Sequence, residues 1–276
     1  MIDNAVAIYC FLDDYLKAIN HKEDKQRKMS DAEIMLIGYL SSKYFAGNHQ
    51  RSLDYVSSHG LCKKVLSKSR FSRRLHAVGN LMQTIFENTG ESVKELNASK
   101  EYVTDSFPVK ICHNIRIINN KLLPVEQQYR GKCVSKHEYF YGFKIHVIAT
   151  IDKIPVEFAI VPGSLHDSTG MKALSMNLPP GSRNISDSGY TNYEFEDLMM
   201  ETEGIWHDTV RKSNSKRTEK PYRTFYKNVT RKVIENVFSQ ITAWIPRCIH
   251  ATSINGFMLK LKLFIWSFTF DKLVSL

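Results

Sequence analysis

Apolar positions along the first hundred residues recur at helical spacing. Residues 5–19 form an opening amphipathic segment. Ser30 followed by Glu33 has the pattern of a capping box, with Met29 and Ile34 where a hydrophobic staple places them. A helix is predicted from there to about Tyr44, stopping near Gly47. Further helices are predicted over residues 52–58, ended by Gly60, and from near Ser69 to Phe86 or beyond. Residues 91–100 are polar without a firm apolar period and read as a linker.

After residue 100 the period changes to alternation, which predicts strands over 101–107 and 109–118. Residues 139–150 alternate clearly, with Tyr139, Tyr141, Phe143, Ile145 and Val147 on one face and Lys144 and His146 on the other. Asp152 and Lys153 make a tight connection into 154–161, predicting a hairpin. A helix over 168–178, a strand over 183–187, a helix over 192–201 and a strand over 205–210 follow. Two helices, 230–245 and 253–273, end the chain. Antiparallel strands first and alternating elements later predict a mixed α/β fold.

The 276 residues are 43% hydrophobic and 24% charged, which excludes a wholly disordered chain. Five scattered cysteines without a C-x-x-C pair argue against a disulfide framework or zinc finger, and for a reducing compartment. The charge-free apolar run 263–270 is too short to span a bilayer, and the first residues lack a basic signal-peptide region. A soluble cytoplasmic protein without a membrane partner is expected. Neither H-E-x-x-H, nor G-x-S-x-G, nor a phosphate-binding P-loop motif occurs.

Dividing the net charge of +10 changes the picture. Residues 1–100 hold 15 Lys/Arg against 11 Asp/Glu, residues 101–205 hold 10 against 13, and residues 206–276 hold 13 against 4. An acidic middle between basic flanks suits an enzyme of a polyanion, with carboxylates for metal and cations for phosphate. A solvated surface with chance clustering is the alternative. Arg70, Arg73 and Arg74 open the predicted third helix, and no acid lies between Gly60 and Phe86. Short helices with such a basic turn suit a helix-turn-helix DNA reader, or else a helical cap facing solvent. Residues 211–232 pack nine Lys/Arg against the single acid Glu219. Arg211, Lys212, Lys216, Arg217, Lys220, Arg223 and Arg231 from this segment, with Lys144, are candidate DNA contacts.

Three acids stand out by context. Asp105 lies in or at the end of an otherwise apolar strand, and Asp187 closes the short strand 184–186. Glu235 falls on the polar stripe of a helix with Arg231, Ser239 and Thr242. A carboxylate in a strand is costly unless paired or bound to a cation. Two aspartates on neighbouring strands and a glutamate from a packed helix would make an all-oxygen site for Mg2+ or Mn2+, in a two-ion arrangement. Singly, each acid also fits a turn, a cap or an exposed position. Asp167, in a strand-to-helix turn where it would serve as the cap, is the first substitute should one of the three fail.

The segments D-S-F-P-V at 105–109, Y-F-Y-G-F-K-I-H at 139–146, P-G-S-L-H-D at 162–167, D-S-G-Y at 187–190 and R-K-V-I-E-N-V-F-S-Q-I at 231–241 follow one another like the blocks of DDE transposases. More narrowly, the chain resembles the insertion sequence 982 family of bacteria. The resemblance implies a ribonuclease-H-like mixed sheet flanked by helices as catalytic core over 100–276, preceded by an all-helical DNA-binding region over 1–95. It implies catalytic and metal-binding roles for Asp105, Asp187 and Glu235, with double-stranded DNA at terminal inverted repeats and target as substrate. A homodimer assembled on DNA, in the nucleoid, goes with that chemistry. Arg231 matches the arginine of the related Y-(2)-R-(3)-E-(6)-K signature, whereas Asn228 and Thr242 stand at its Tyr and Lys positions. A nuclease of the same fold that does not join strands, and a catalytically inactive DNA-binding relative, are the alternatives.

Overall fold

The computed structural model describes residues 2–112, 114–133 and 138–275. These fall into two units, Met1–Asn88 with Ile241–Leu276, and Thr89–Gln240.

The first unit is helical: α1 (Ile2–Ala18), α2 (Asp31–Tyr44), α3 (His49–Ser58), α4 (Lys68–Ala77), the first part of α5 (Gly79–Leu96), the end of α8 (Pro221–Trp244), and α9 (Ile254–Leu273). The capping box forms as expected: the Glu33 N–H donates to Ser30 Oγ at 3.1 Å and the Ser30 N–H to Glu33 Oε2 at 2.7 Å. Helix α2 is buried almost throughout because α1, α3, α4 and α9 pack around it. Gly38 allows the close approach, since a Cβ there would lie 3.2 Å from both Leu75 and Leu263. Tyr39 donates to Asp271 of α9 at 2.6 Å, and Lys43 pairs with the same carboxylate. The helix predicted from Ser69 onward divides at Val78 into α4 and α5. Residues 241–276, assigned from sequence to the catalytic region, cluster with the N-terminal helices.

The second unit is built on a six-stranded mixed sheet of β1 (Glu101–Cys112), β2 (Arg130–Cys133), β3 (Glu138–Thr150), β4 (Pro155–Pro162), β5 (Arg183–Ser186) and β6 (Trp206–Thr209). Its helices are the end of α5, α6 (Asp167–Gly170), α7 (Tyr193–Glu203) and most of α8. Strand β3 lies antiparallel to β1, β2 and β4, while β1, β5 and β6 run parallel to one another. The predicted hairpin is β3–β4. Tyr102, Ile148, Val156, Met171, Leu174 and Tyr190 belong to the core on this sheet.

Several expectations are corrected. The two strands predicted over 101–107 and 109–118 are one, β1, running through Pro108 to Cys112. Strand β5 pairs only with residues 101–104, so Pro108 lies where β1 has β3 as its one partner and a missing N–H is tolerated. The predicted linker is the end of α5, which reaches Leu96. The helix predicted over 168–178 stops at Gly170 and a 3-10 turn at 171–173, because the Met176 and Asn177 N–H groups donate to Glu157 instead. Among the described residues, no helix is long and apolar enough to cross a membrane. The mixed sheet flanked by helices, preceded in the chain by a helical region, is the α/β arrangement of a ribonuclease-H-like fold.

Candidate active site

Parallel pairing of β1 with β5 sets Thr104 beside Ser186, so the next residues, Asp105 within β1 and Asp187 just past the end of β5, lie at the same level. Each carboxylate is oriented by the following amide. The Ser106 N–H donates to Asp105 Oδ1 at 2.7 Å, and the Ser188 N–H to Asp187 Oδ1 at 2.6 Å. From α8, Arg231 reaches both: Nη2 is 3.6 Å from Asp105 Oδ2 and Nη1 is 3.5 Å from Asp187 Oδ1. These are ion-pair distances, too long for hydrogen bonds of ordinary geometry. Phe238, two turns beyond Arg231, packs on Phe107 of β1 with ring centroids 4.8 Å apart, which holds α8 over the aspartates.

A third carboxylate lies beside them. His166, not Asp167, caps α6, accepting the Ser168 N–H at its ring nitrogen. Asp167 instead accepts Ser106 Oγ–H at 3.1 Å and Lys144 at 3.1 Å. Nothing local in P-G-S-L-H-D distinguishes a cap from this inward role, because the partners come from β1 and β3. Behind the acids, Tyr190 and His146 Nδ1 share a hydrogen bond of 2.8 Å. Gly170 permits this layer, since a Cβ there would sit 2.2 Å from His146 Nε2. Burial holds His146 neutral, with its pKa lowered to about 4.

The electrostatics favour a cation. Burial raises the Asp105 pKa to about 6; the Ser106 N–H and Arg231 oppose that shift, while Asp187 and Asp167 add to it. Arg231 compensates incompletely, and its buried Nε has no hydrogen-bond partner among the described residues. Two oriented carboxylates facing one loosely held cation, with a third acid adjacent, form an oxygen donor set that fits a hard divalent ion.

Glu235 stands differently. It is exposed, one helical turn beyond Arg231. Among the described residues, only His21, Glu23 and Asp31 bring three ligand atoms within 4.8 Å of one another. That group is already partnered, His21 with Asp31 at 2.8 Å, Asp31 also with Arg74, and Glu23 with Arg27. Asp105 and Asp187 are therefore brought together by Arg231, while Glu235 is not closed onto them.

The basic residues divide into paired and free. Arg211 makes two hydrogen bonds to Glu196, at 2.8 and 2.6 Å, and Arg217 pairs with Asp197 at 2.6 Å. Lys227 is buried between Asp208 and Glu219. Apart from Glu219, these acids lie outside residues 211–232, where sequence proximity could not reveal them. Lys212, Lys216, Lys220 and Arg223 are exposed and, among the described residues, form no ion pair. In the helical unit Arg70 and Arg73 are exposed, whereas Arg74 is committed to Asp31.

An acid within one strand of a ribonuclease-H-like sheet, level with an acid just past the end of the adjacent parallel strand, defines a class of fold and site. A family model described as a transposase DDE domain matches residues 97–251, more than half of the 276-residue chain. The chain belongs to that transposase family. No curated protein and no solved structure gives a match.

Proposed function

We propose that the chain is a DNA transposase of the insertion sequence 982 family, with residues 1–95 binding DNA and residues 100–276 cutting and joining it. The observation that carries this is the Asp105–Arg231–Asp187 arrangement within a member of the transposase DDE family. Mg2+ or Mn2+, two ions in the complete assembly, would be held by Asp105, Asp187 and Glu235, with Asp167 the neighbouring substitute. Bound there, such ions polarise a scissile phosphate and promote ionisation of an attacking water or 3′-hydroxyl. Ser106 and Ser188 hold the aspartates in position through their N–H groups. Lys144 balances Asp167, and Arg231 is placed to exchange its aspartates for a phosphate oxygen of the substrate.

The exposed Lys212, Lys216, Lys220 and Arg223, with Arg70 and Arg73, supply backbone contacts to the inverted-repeat ends and target. A homodimer on DNA, in the nucleoid of the cytoplasm, completes the proposal. One observation favours a catalytically inactive relative instead: Glu235 is exposed and, among the described residues, does not join the two aspartates in a group of three ligand atoms within 4.8 Å. The test uses labelled duplex from the ends of the encoding element, incubated with Mg2+ and a target plasmid. Cleaved ends joined to the plasmid support a transposase; cleavage without joining indicates a nuclease; binding without cleavage indicates an inactive relative.

A further inference from the structure

The outer face of α8 carries large apolar side chains that the fold leaves open. Tyr222, Phe225, Tyr226 and Val229 are 64%, 72%, 39% and 46% exposed. Their spacing of three and four residues puts them in one stripe, while Lys227, Thr230 and Ile234 form the buried side. The Tyr226 hydroxyl is tied to Glu101, which fixes one ring of the stripe. Residues 221–234 contain no acid, and Lys220, Arg223 and Lys232 flank the rings with exposed charges.

We infer that this stripe is a stacking site for unpaired nucleobases of the DNA substrate, a reading that rests on the proposed DNA chemistry. Interleaved aromatic rings and cations suit single-stranded nucleic acid, because every base has a face to stack and the cations follow the phosphates. Within a duplex the bases cover one another, so an open ring finds a face only where a base has left the stack. Phe225 precedes Arg231 by six residues, about 9 Å along a helix axis. That separation is about three base steps. The stripe and Arg231 thus lie about three base steps apart along the axis of α8 but on different sides of it, so the stacked bases would belong to flanking DNA that passes around the helix. A second copy related by a two-fold axis is a poorer occupant, since it would set Lys220, Arg223 and Lys232 against like charges.

The test measures binding of the full-length protein to two labelled oligonucleotides in EDTA. One is fully paired, and the other has the same sequence with three unpaired nucleotides carrying 2-aminopurine. The wild type should favour the unpaired probe about tenfold or more and quench its fluorescence. Tyr222→Ala with Phe225→Ala should abolish the preference and the quenching while duplex binding persists, and Phe225→Trp should retain both. An unchanged preference in the double variant, equal loss on both probes, or no wild-type preference would overturn the stacking site. A dimer dissociated by the double variant, with the preference intact, would assign the stripe to a second copy. Wild-type protein that binds neither probe would instead defeat the underlying DNA-binding proposal.

Discussion

Replacing Asp105 by Asn should stabilise the metal-free protein, and the gain should depend on pH. The carboxylate is 22% exposed and its pKa rises from 3.8 to about 6, with burial as the chief cause. A shift of about two units corresponds to about 3 kcal/mol. For an acid whose folded pKa exceeds its unfolded value, the native state binds the proton more tightly. The contribution of Asp105 is therefore favourable below about pH 4 and is lost as pH rises through about 6. Asn keeps the acceptor for the Ser106 N–H and removes the charge. In EDTA at pH 7.5, Asp105→Asn should gain up to about 3 kcal/mol, at about 2–4 °C of Tm per kcal/mol. At pH 4.5 most of that gain should be gone. Thermal unfolding followed by circular dichroism at both pH values measures it. An equal or lower Tm for the variant at pH 7.5, or the same difference at both pH values, would refute the reasoning.

Arg231→Gln should raise the affinity of DNA-free protein for Mn2+, measured by electron paramagnetic resonance, because the guanidinium competes for both aspartates; equal or weaker binding would show that it does not. Neutralising Lys212, Lys216, Lys220 and Arg223 to Gln should flatten the salt dependence of DNA binding by about 0.9 in log–log slope per lost phosphate contact. Arg217→Gln alone should leave that slope unchanged, since Arg217 is held by Asp197 and Glu196. Gly170→Ala should destabilise the catalytic unit by about 1–3 kcal/mol in urea unfolding, because its Cβ would meet the His146 ring; a neutral effect would show that the histidine layer yields freely.

Much of the fold is legible locally. The capping box of α2, the alternation of β3, the β3–β4 hairpin and the strand before Asp187 each carry their signal within a few residues. What escapes is set by distant partners. The end of α5 looks like a polar linker, yet Lys94 is buried against Glu91, Glu157 and the Asn177 carbonyl, and Gly90 lets the helix approach Val156. Strand β2 is only four residues long, too short for its alternation to stand out, and is held by pairing with residues 138–141 of β3. The aspartate pair is readable as acids in apolar strand contexts, but their common level requires the β1–β5 register. The inward partners of Asp167, and the acids that claim Arg211 and Arg217, become visible only once the chain has folded.

The most direct test of the account is metal-dependent cleavage of labelled element ends by a panel of conservative variants. Asp105→Asn, Asp187→Asn and Glu235→Gln should each lose cleavage in Mg2+ and in Mn2+ while still binding the duplex. Asp167→Asn should retain measurable cleavage. Near-wild-type cleavage by either aspartate variant would contradict the assignment of Asp105 and Asp187 as the centre of the site. Cleavage retained by Glu235→Gln but lost by Asp167→Asn would move the third ligand to Asp167.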